Sequence, residues 1–169
     1  MKYIITCLVA GSFGLMALSP PKPRRGVIEM AVLNQRFTFM PETARPMEGV
    51  NMVVMDMFPN ARDLYRIGEG NYTIQVTPDS LIVSLPYFGR SYTSLYGTTD
   101  IGFKFSSSKY TYQVSRPSKR NKPYEIQIKP LDRNDINRIT VSVFDNGNAT
   151  VYISSVNRNP ISYQGTLVP

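Results

Sequence analysis

The chain has 169 residues, one cysteine, no histidine and a formal charge of +7. Without histidine, Ser-His-Asp and Cys-His catalysis, the usual zinc sites and imidazole-ligated haem all drop out. The charge argues weakly for nucleic acid, because Lys2, Lys22, Arg24 and Arg25 precede every acidic residue; from Gly26 onward fifteen basic residues face twelve acidic ones, a balance of +3.

In chain order, Met1 to Ser19 reads as an export signal. A cationic start, Met1-Lys2-Tyr3, leads into a mostly apolar run from Ile4 to Leu18. At about fifteen residues it is short for a membrane span of ~20. Cleavage candidates follow Gly14, Ala17 and Ser19. Cys7 lies inside the apolar run, so the mature chain is expected to carry no thiol and neither disulfides nor thiol catalysis. Residues 20–26, rich in proline and arginine, read as a linker. Residues 27–169 read as one domain. Roughly 145 residues suffice to bury about 68% of the unfolded chain's surface without a staple.

Within that domain, Val27 to Asn34 has the spacing of a short helix. Phe37 and Phe39 alternate with Thr38 and Met40, as in a strand, and Pro41 to Gly49 reads as a loop. Val50 to Phe58 is apolar and rich in methionine, compatible with a strand or a buried floor. Pro59 to Gly70 reads as a loop. Tyr72, Ile74 and Val76 alternate with polar neighbours, turn at Pro78-Asp79 and return over Ser80 to Leu85. Strict alternation means one dry sheet face and one wet one.

Pro86 to Gly102 breaks the pattern and holds Tyr87, Phe88, Tyr92 and Tyr96 with Arg90 and Asp100. Phe103 and Phe105 restart it. Ser106-Ser107-Ser108 reads as a turn before Tyr110 to Ser115. Arg116, Lys119, Arg120 and Lys122 form a basic hairpin loop, either solvated or touching an anionic surface. Tyr124 to Lys129 and Ile139 to Val143 are further strands. Asp145-Asn146-Gly147-Asn148 is a hairpin turn whose two central residues favour positive φ. Ala149 to Ile153 and Ile161 to Gly165 complete the set. About nine strands joined by tight turns form an antiparallel meander, which must curl into a barrel or split into a sandwich.

Two stretches carry a family resemblance. Leu85-Pro86-Tyr87-Phe88-Gly89-Arg90-Ser91-Tyr92, followed by Tyr96-Gly97, resembles the signature of domain-of-unknown-function family 4251, exported proteins of Bacteroidota. Asn157-Arg158-Asn159-Pro160-Ile161-Ser162-Tyr163-Gln164-Gly165 resembles its C-terminal motif. Leu33 to Phe39 is similar to its opening helix and Phe-x-Phe strand. Between them these cover about residues 30 to 167. The resemblance implies an all-β fold, an antiparallel meander closing into a lipocalin-like β-barrel behind a short N-terminal helix. It carries no catalytic residues, and Met57 to Gly70 looks longer than the family's usual connection.

Function is far less legible than fold. No phosphate-binding glycine loop or calcium loop stands out, and Asp132-Arg133-Asn134-Asp135 reads as a turn. No cofactor and no metal site is implied. The remaining catalytic route is a carboxylate pair, with Glu69, Asp79, Asp100 and Glu125 as candidates. The best candidate site is the aromatic loop, with Tyr87, Phe88, Arg90, Tyr92, Tyr96 and Asp100. It forms either a binding platform for a sugar or small amphipathic molecule, or a plug in one end of the barrel. Tyr72, Tyr110, Tyr112 and Tyr124 fall on the apolar register, either packed in the core or lining a cavity. The reading is therefore an exported, non-catalytic binding module of the periplasm or cell envelope. The alternatives are a structural or protein-interaction domain docking on an envelope protein, then a carboxylate hydrolase. Nucleic acid is not an expected partner, and no membrane span is expected in the mature chain.

Overall fold

A computed structural model describes residues 25–47, 65–68, 70–92, 102–116 and 122–169. The export signal, Cys7, the Val50 to Phe58 run, Glu69, Tyr96, Asp100, Lys119 and Arg120 lie outside the described residues. Among those described, no helix is long and apolar enough to cross a membrane.

The described residues form one helix and nine strands, in order: α1 (Arg25–Leu33), β1 (Phe37–Pro46), β2 (Thr73–Thr77), β3 (Ser80–Leu85), β4 (Phe103–Ser107), β5 (Tyr110–Ser115), β6 (Tyr124–Pro130), β7 (Ile136–Val143), β8 (Asn148–Ser155) and β9 (Ile161–Val168). Alternation places every second side chain inside. Ile126 and Ile128 on β6, Ile139 and Val141 on β7, and Val151 and Ile153 on β8 are fully buried, while Glu125, Gln127 and Lys129 face outward. The helix adds Ile28, Ala31 and Val32 to the same core.

The strands form one sheet in the order β4-β3-β2-β1-β9-β8-β7-β6-β5. Every neighbouring pair is antiparallel. Eight reversals leave the two end strands, β4 and β5, pointing the same way. Only Ser108 and Lys109 separate them, so β5 continues β4 beyond a kink instead of turning back. The expected turn at Ser106-Ser107-Ser108 is thus corrected. These two strands act as one bent stave, bonded first to β3 and then to β6, and they draw the sheet into a nearly closed barrel. Lipocalin-like meanders close in this up-and-down manner.

A side-chain clamp holds the kink. The buried Ser107 hydroxyl donates to Asp132 Oδ1 at 2.5 Å. The Ser108 N–H donates to Asp132 Oδ2 at 3.1 Å, and Leu131 N–H to the Lys109 carbonyl at 2.8 Å. The Ser107 hydroxyl is the main reason the Asp132 carboxyl titrates below its usual range. The Tyr110 hydroxyl also donates across the seam to the Thr77 carbonyl.

Three more expectations change. β1 runs through Pro41 to Pro46 instead of ending at Met40. A bulge between Pro41 and Thr43 absorbs the proline, as prolines in sheets require. Gly165 lies opposite Pro41, and a Cβ there would collide with the Met40 carbonyl and Pro41 Cα. β9 extends to Val168 because it pairs along this whole length of β1. In the β7–β8 hairpin only Gly147 takes positive φ, at 85°. Its N–H donates to the Phe144 carbonyl at 2.9 Å, and Asn146 instead accepts the Asn148 N–H at 3.0 Å.

The helix ends where Gln35 takes a left-handed φ of 54°. Arg36 N–H then reaches Ala31 O, and Gln35 N–H reaches Val32 O, the bonding pattern of a Schellman cap. The Tyr112 hydroxyl donates to Val32 O at 2.7 Å, so α1 packs against one end of the barrel. That bottom end also holds the turns at 78–79 and 144–147. The opposite, top end holds residues 65–68, 70–72, 86–92, 131–135 and 156–160.

Candidate functional site

At the top end the two sequence motifs meet. Alternation continues past the end of β3: Leu81, Val83, Leu85 and then Tyr87 are all buried. Tyr87 therefore points into the barrel mouth, where its ring meets Phe103 edge-on at 5.3 Å. Its hydroxyl lies 2.7 Å from the Arg90 carbonyl and 3.2 Å from the Asn159 carbonyl. Burial is the main cause that pushes this hydroxyl above the usual tyrosine range. Gly89 leaves room for it, since a Cβ there would stand 2.6 Å from the same oxygen.

The 157–160 loop completes the stopper. Ser91 and Arg158 form an isolated antiparallel bridge, with Tyr92 N–H donating to Asn157 O at 2.8 Å and Asn159 N–H to Arg90 O at 3.1 Å. The Arg158 guanidinium covers the rings of Tyr87 and Phe103, 5.1 and 4.9 Å from their centroids. It also donates to Gly102 O at 2.9 Å. From β9, Tyr163 is fully buried and donates to Pro86 O at 2.6 Å. Burial raises its hydroxyl above the ordinary range as well. These phenols thus stay protonated donors at neutral pH.

Tyr87 accordingly serves as part of the plug. Phe88 is half-buried and packs edge-on against Tyr65, 6.3 Å between centroids. Tyr65 arrives because residues 66 and 67 run beside β1, with Ile67 N–H bonded to Glu42 O at 2.9 Å and a bridge between Arg66 and Thr43. Arg90 is exposed. Tyr92 is 70% exposed, yet its hydroxyl is fixed on Asn159 Oδ1. Loop 86–92 therefore divides into an inner plug, Tyr87, and an outer aromatic face, Tyr92. Asn159, only 6% exposed, and Arg158 are the partners that sequence reasoning did not assign to the site. Their signal lay in the second motif, some seventy residues downstream of the first.

Two of the strand tyrosines are tied to backbone. Tyr110 and Tyr112 reach Thr77 O and Val32 O at the bottom end, and burial raises both hydroxyls above the usual range. Of the four candidate carboxylates, Asp79 sits in the bottom turn and Glu125 on the outer face of β6, opposite Ser115. Among the described residues no three of His, Cys, Asp and Glu gather at metal-binding distance.

Fold and site together define a lipocalin-like meander barrel, stoppered at one end by two interlocked loops. The family model of domain of unknown function DUF4251 matches residues 25–167, and the chain belongs to that family. The crystal structure of a DUF4251 family protein from Bacteroides eggerthii DSM 20697 is similar in fold. It has a TM-score of 0.52 and 15% sequence identity, covering 86% of this chain and 87% of that one. No curated protein matches the chain.

Proposed function

We propose that this domain is a non-catalytic binding module of an exported, envelope-located protein, taking a glycan or small amphipathic molecule at the top rim. The observation that carries this reading is the held exposure of Tyr92. The residue is 70% exposed, while its N–H and hydroxyl are both fixed on the 157–159 loop. An aromatic face held from two sides loses little freedom on binding, which favours affinity. Val156 and Met47, 57% and 50% exposed, belong to the same loop cluster, since Met47 N–H is bonded to Pro160 O. Arg90, exposed and two residues before Tyr92, offers a polar group on the same loop. Rings with flanking donors suit molecules that have one apolar and one polar face.

The test uses Tyr92→Ala and Arg90→Ala, which leave Tyr87 in place. Native mass spectrometry of protein purified from its own envelope identifies a co-purifying ligand. Retention of that ligand by wild type and its loss from both variants, with unchanged circular dichroism, is the expected result. Equal retention in all three overturns the site. The second reading is a domain docking on an envelope protein. It is favoured by the apolar stripe on α1, where Val27, Met30 and Leu33 are 46%, 64% and 41% exposed.

A further inference from the structure

We propose that the outer wall of the barrel, across β5, β6 and β7, holds an oxyanion site that takes a phosphate or sulfate ester group. This site is separate from the rim and does not depend on the reading of Tyr92. A cleft of about 160 Å³ opens there, lined by Thr111, Gln113, Gln127, Ile128, Lys129 and Arg138.

Register brings the donors together. Thr111 lies opposite Lys129, and Gln113 opposite Gln127. On the other side of β6, Ile128 pairs with Ile139. One step further along both strands brings Lys129 level with Arg138, which sits at the bulge of β7. Two cations thus face each other on neighbouring strands, an arrangement that destabilises a sheet unless an opposite charge intervenes. Among the described residues no carboxylate lines the cleft. The acid on the same outward column is Glu125, four residues back, about 13 Å away at strand rise.

The chemistry is that of an oxyanion clamp. A guanidinium presents a planar fork that matches two oxygens of a tetrahedral anion, and an ammonium adds a point charge. The Gln113 and Gln127 amides and the Thr111 hydroxyl add neutral donors. The cleft accommodates one oxyanion group and its first ester atoms, with the rest of the molecule lying along the sheet. A phosphorylated lipid headgroup and a free or glycan-borne ester present the same group.

Amide chemical shifts of the full chain are followed by NMR while inorganic phosphate is added at constant ionic strength. Saturable shifts centred on Gln127, Lys129 and Arg138 are expected. In the Lys129→Gln, Arg138→Gln double variant, affinity falls at least tenfold while the dispersion of the spectrum is retained. Tyr92→Ala leaves phosphate binding unchanged, which separates failure of this site from failure of the rim. Shifts that grow linearly without saturation, or that are equal in the double variant, overturn the proposal. Sedimentation with phosphatidylglycerol vesicles assigns the source. Binding lost in the double variant identifies a lipid headgroup, and phosphate capture without sedimentation identifies a free or glycan-borne ester.

Discussion

Replacing Tyr87 by Phe removes one oxygen from the stopper and nothing else. The ring keeps its edge contact with Phe103 and its place beneath Arg158, so packing is conserved. The hydroxyl carries a single hydrogen, shared between the Arg90 and Asn159 carbonyls. Of these acceptors, Arg90 O retains the Asn159 N–H. The loss is therefore one hydrogen bond plus one under-satisfied carbonyl, or about 1.5 kcal/mol. For a chain of this size that corresponds to a Tm lower by about 3–6 °C. Urea unfolding measures it directly, with the midpoint falling and the slope unchanged. A variant within about 0.5 kcal/mol of wild type refutes the claim that this hydroxyl joins the two loops. A loss above about 3 kcal/mol refutes the claim that packing is conserved.

Gly165→Ala is expected to cost about 2–3 kcal/mol, because the new methyl meets β1 backbone at the bulge and neither partner yields easily; its urea midpoint checks this. Gln35→Gly is expected to stabilise by about 0.5–1 kcal/mol, since relief of the left-handed conformation outweighs the entropy that glycine adds to the unfolded chain. Differential scanning calorimetry then shows a higher Tm. Asp132→Asn weakens the β4–β5 kink in a pH-dependent way. The folded-state carboxyl titrates low, so its contribution is present above the ordinary value of about 4 and is lost as pH falls through the lowered one. The gap in urea midpoint between wild type and variant is accordingly open at neutral pH and closes in strong acid. Tyr163 has the opposite sign. Its raised value gives stability that is complete below about pH 10 and declines above it, by up to about 1.4 kcal/mol per pH unit. Tyr163→Phe makes an alkaline unfolding series less steep by that share, while Tyr87, Tyr110 and Tyr112, also raised, supply the rest.

The strands were legible because alternation is a local property. Ile126, Val141 and Val151 point inward for the same reason that Gln127, Ser142 and Thr150 point outward or lie half-covered. The extension of β1 was hidden by Pro41 and Pro46, which read as breakers until Gly165 lets the bulge form against β9. The kink at Ser108 was hidden for a different reason. A tight turn and a strand-to-strand bend share the same serine-rich composition, and only the parity of the closed meander separates them. The same alternation that marks β3 continues to Tyr87, so the inward direction of that residue was present in the sequence and masked by Pro86. The pairing of Arg90 and Tyr92 with Asn157 and Asn159 is a contact between distant segments, and local pattern carries no signal for it. The cleft at Lys129 and Arg138 was invisible for that reason too, because it exists only in the register of three strands.

Amide hydrogen exchange on the intact chain tests most directly whether the two loops form one unit with the barrel. If they do, the Tyr92 and Asn159 amides exchange slowly, with protection approaching that of Val151 in the middle of β8, and Tyr87→Phe lowers protection in both loops together. Exchange of those two amides at the rate of an open surface loop, with Val151 still protected, contradicts the account.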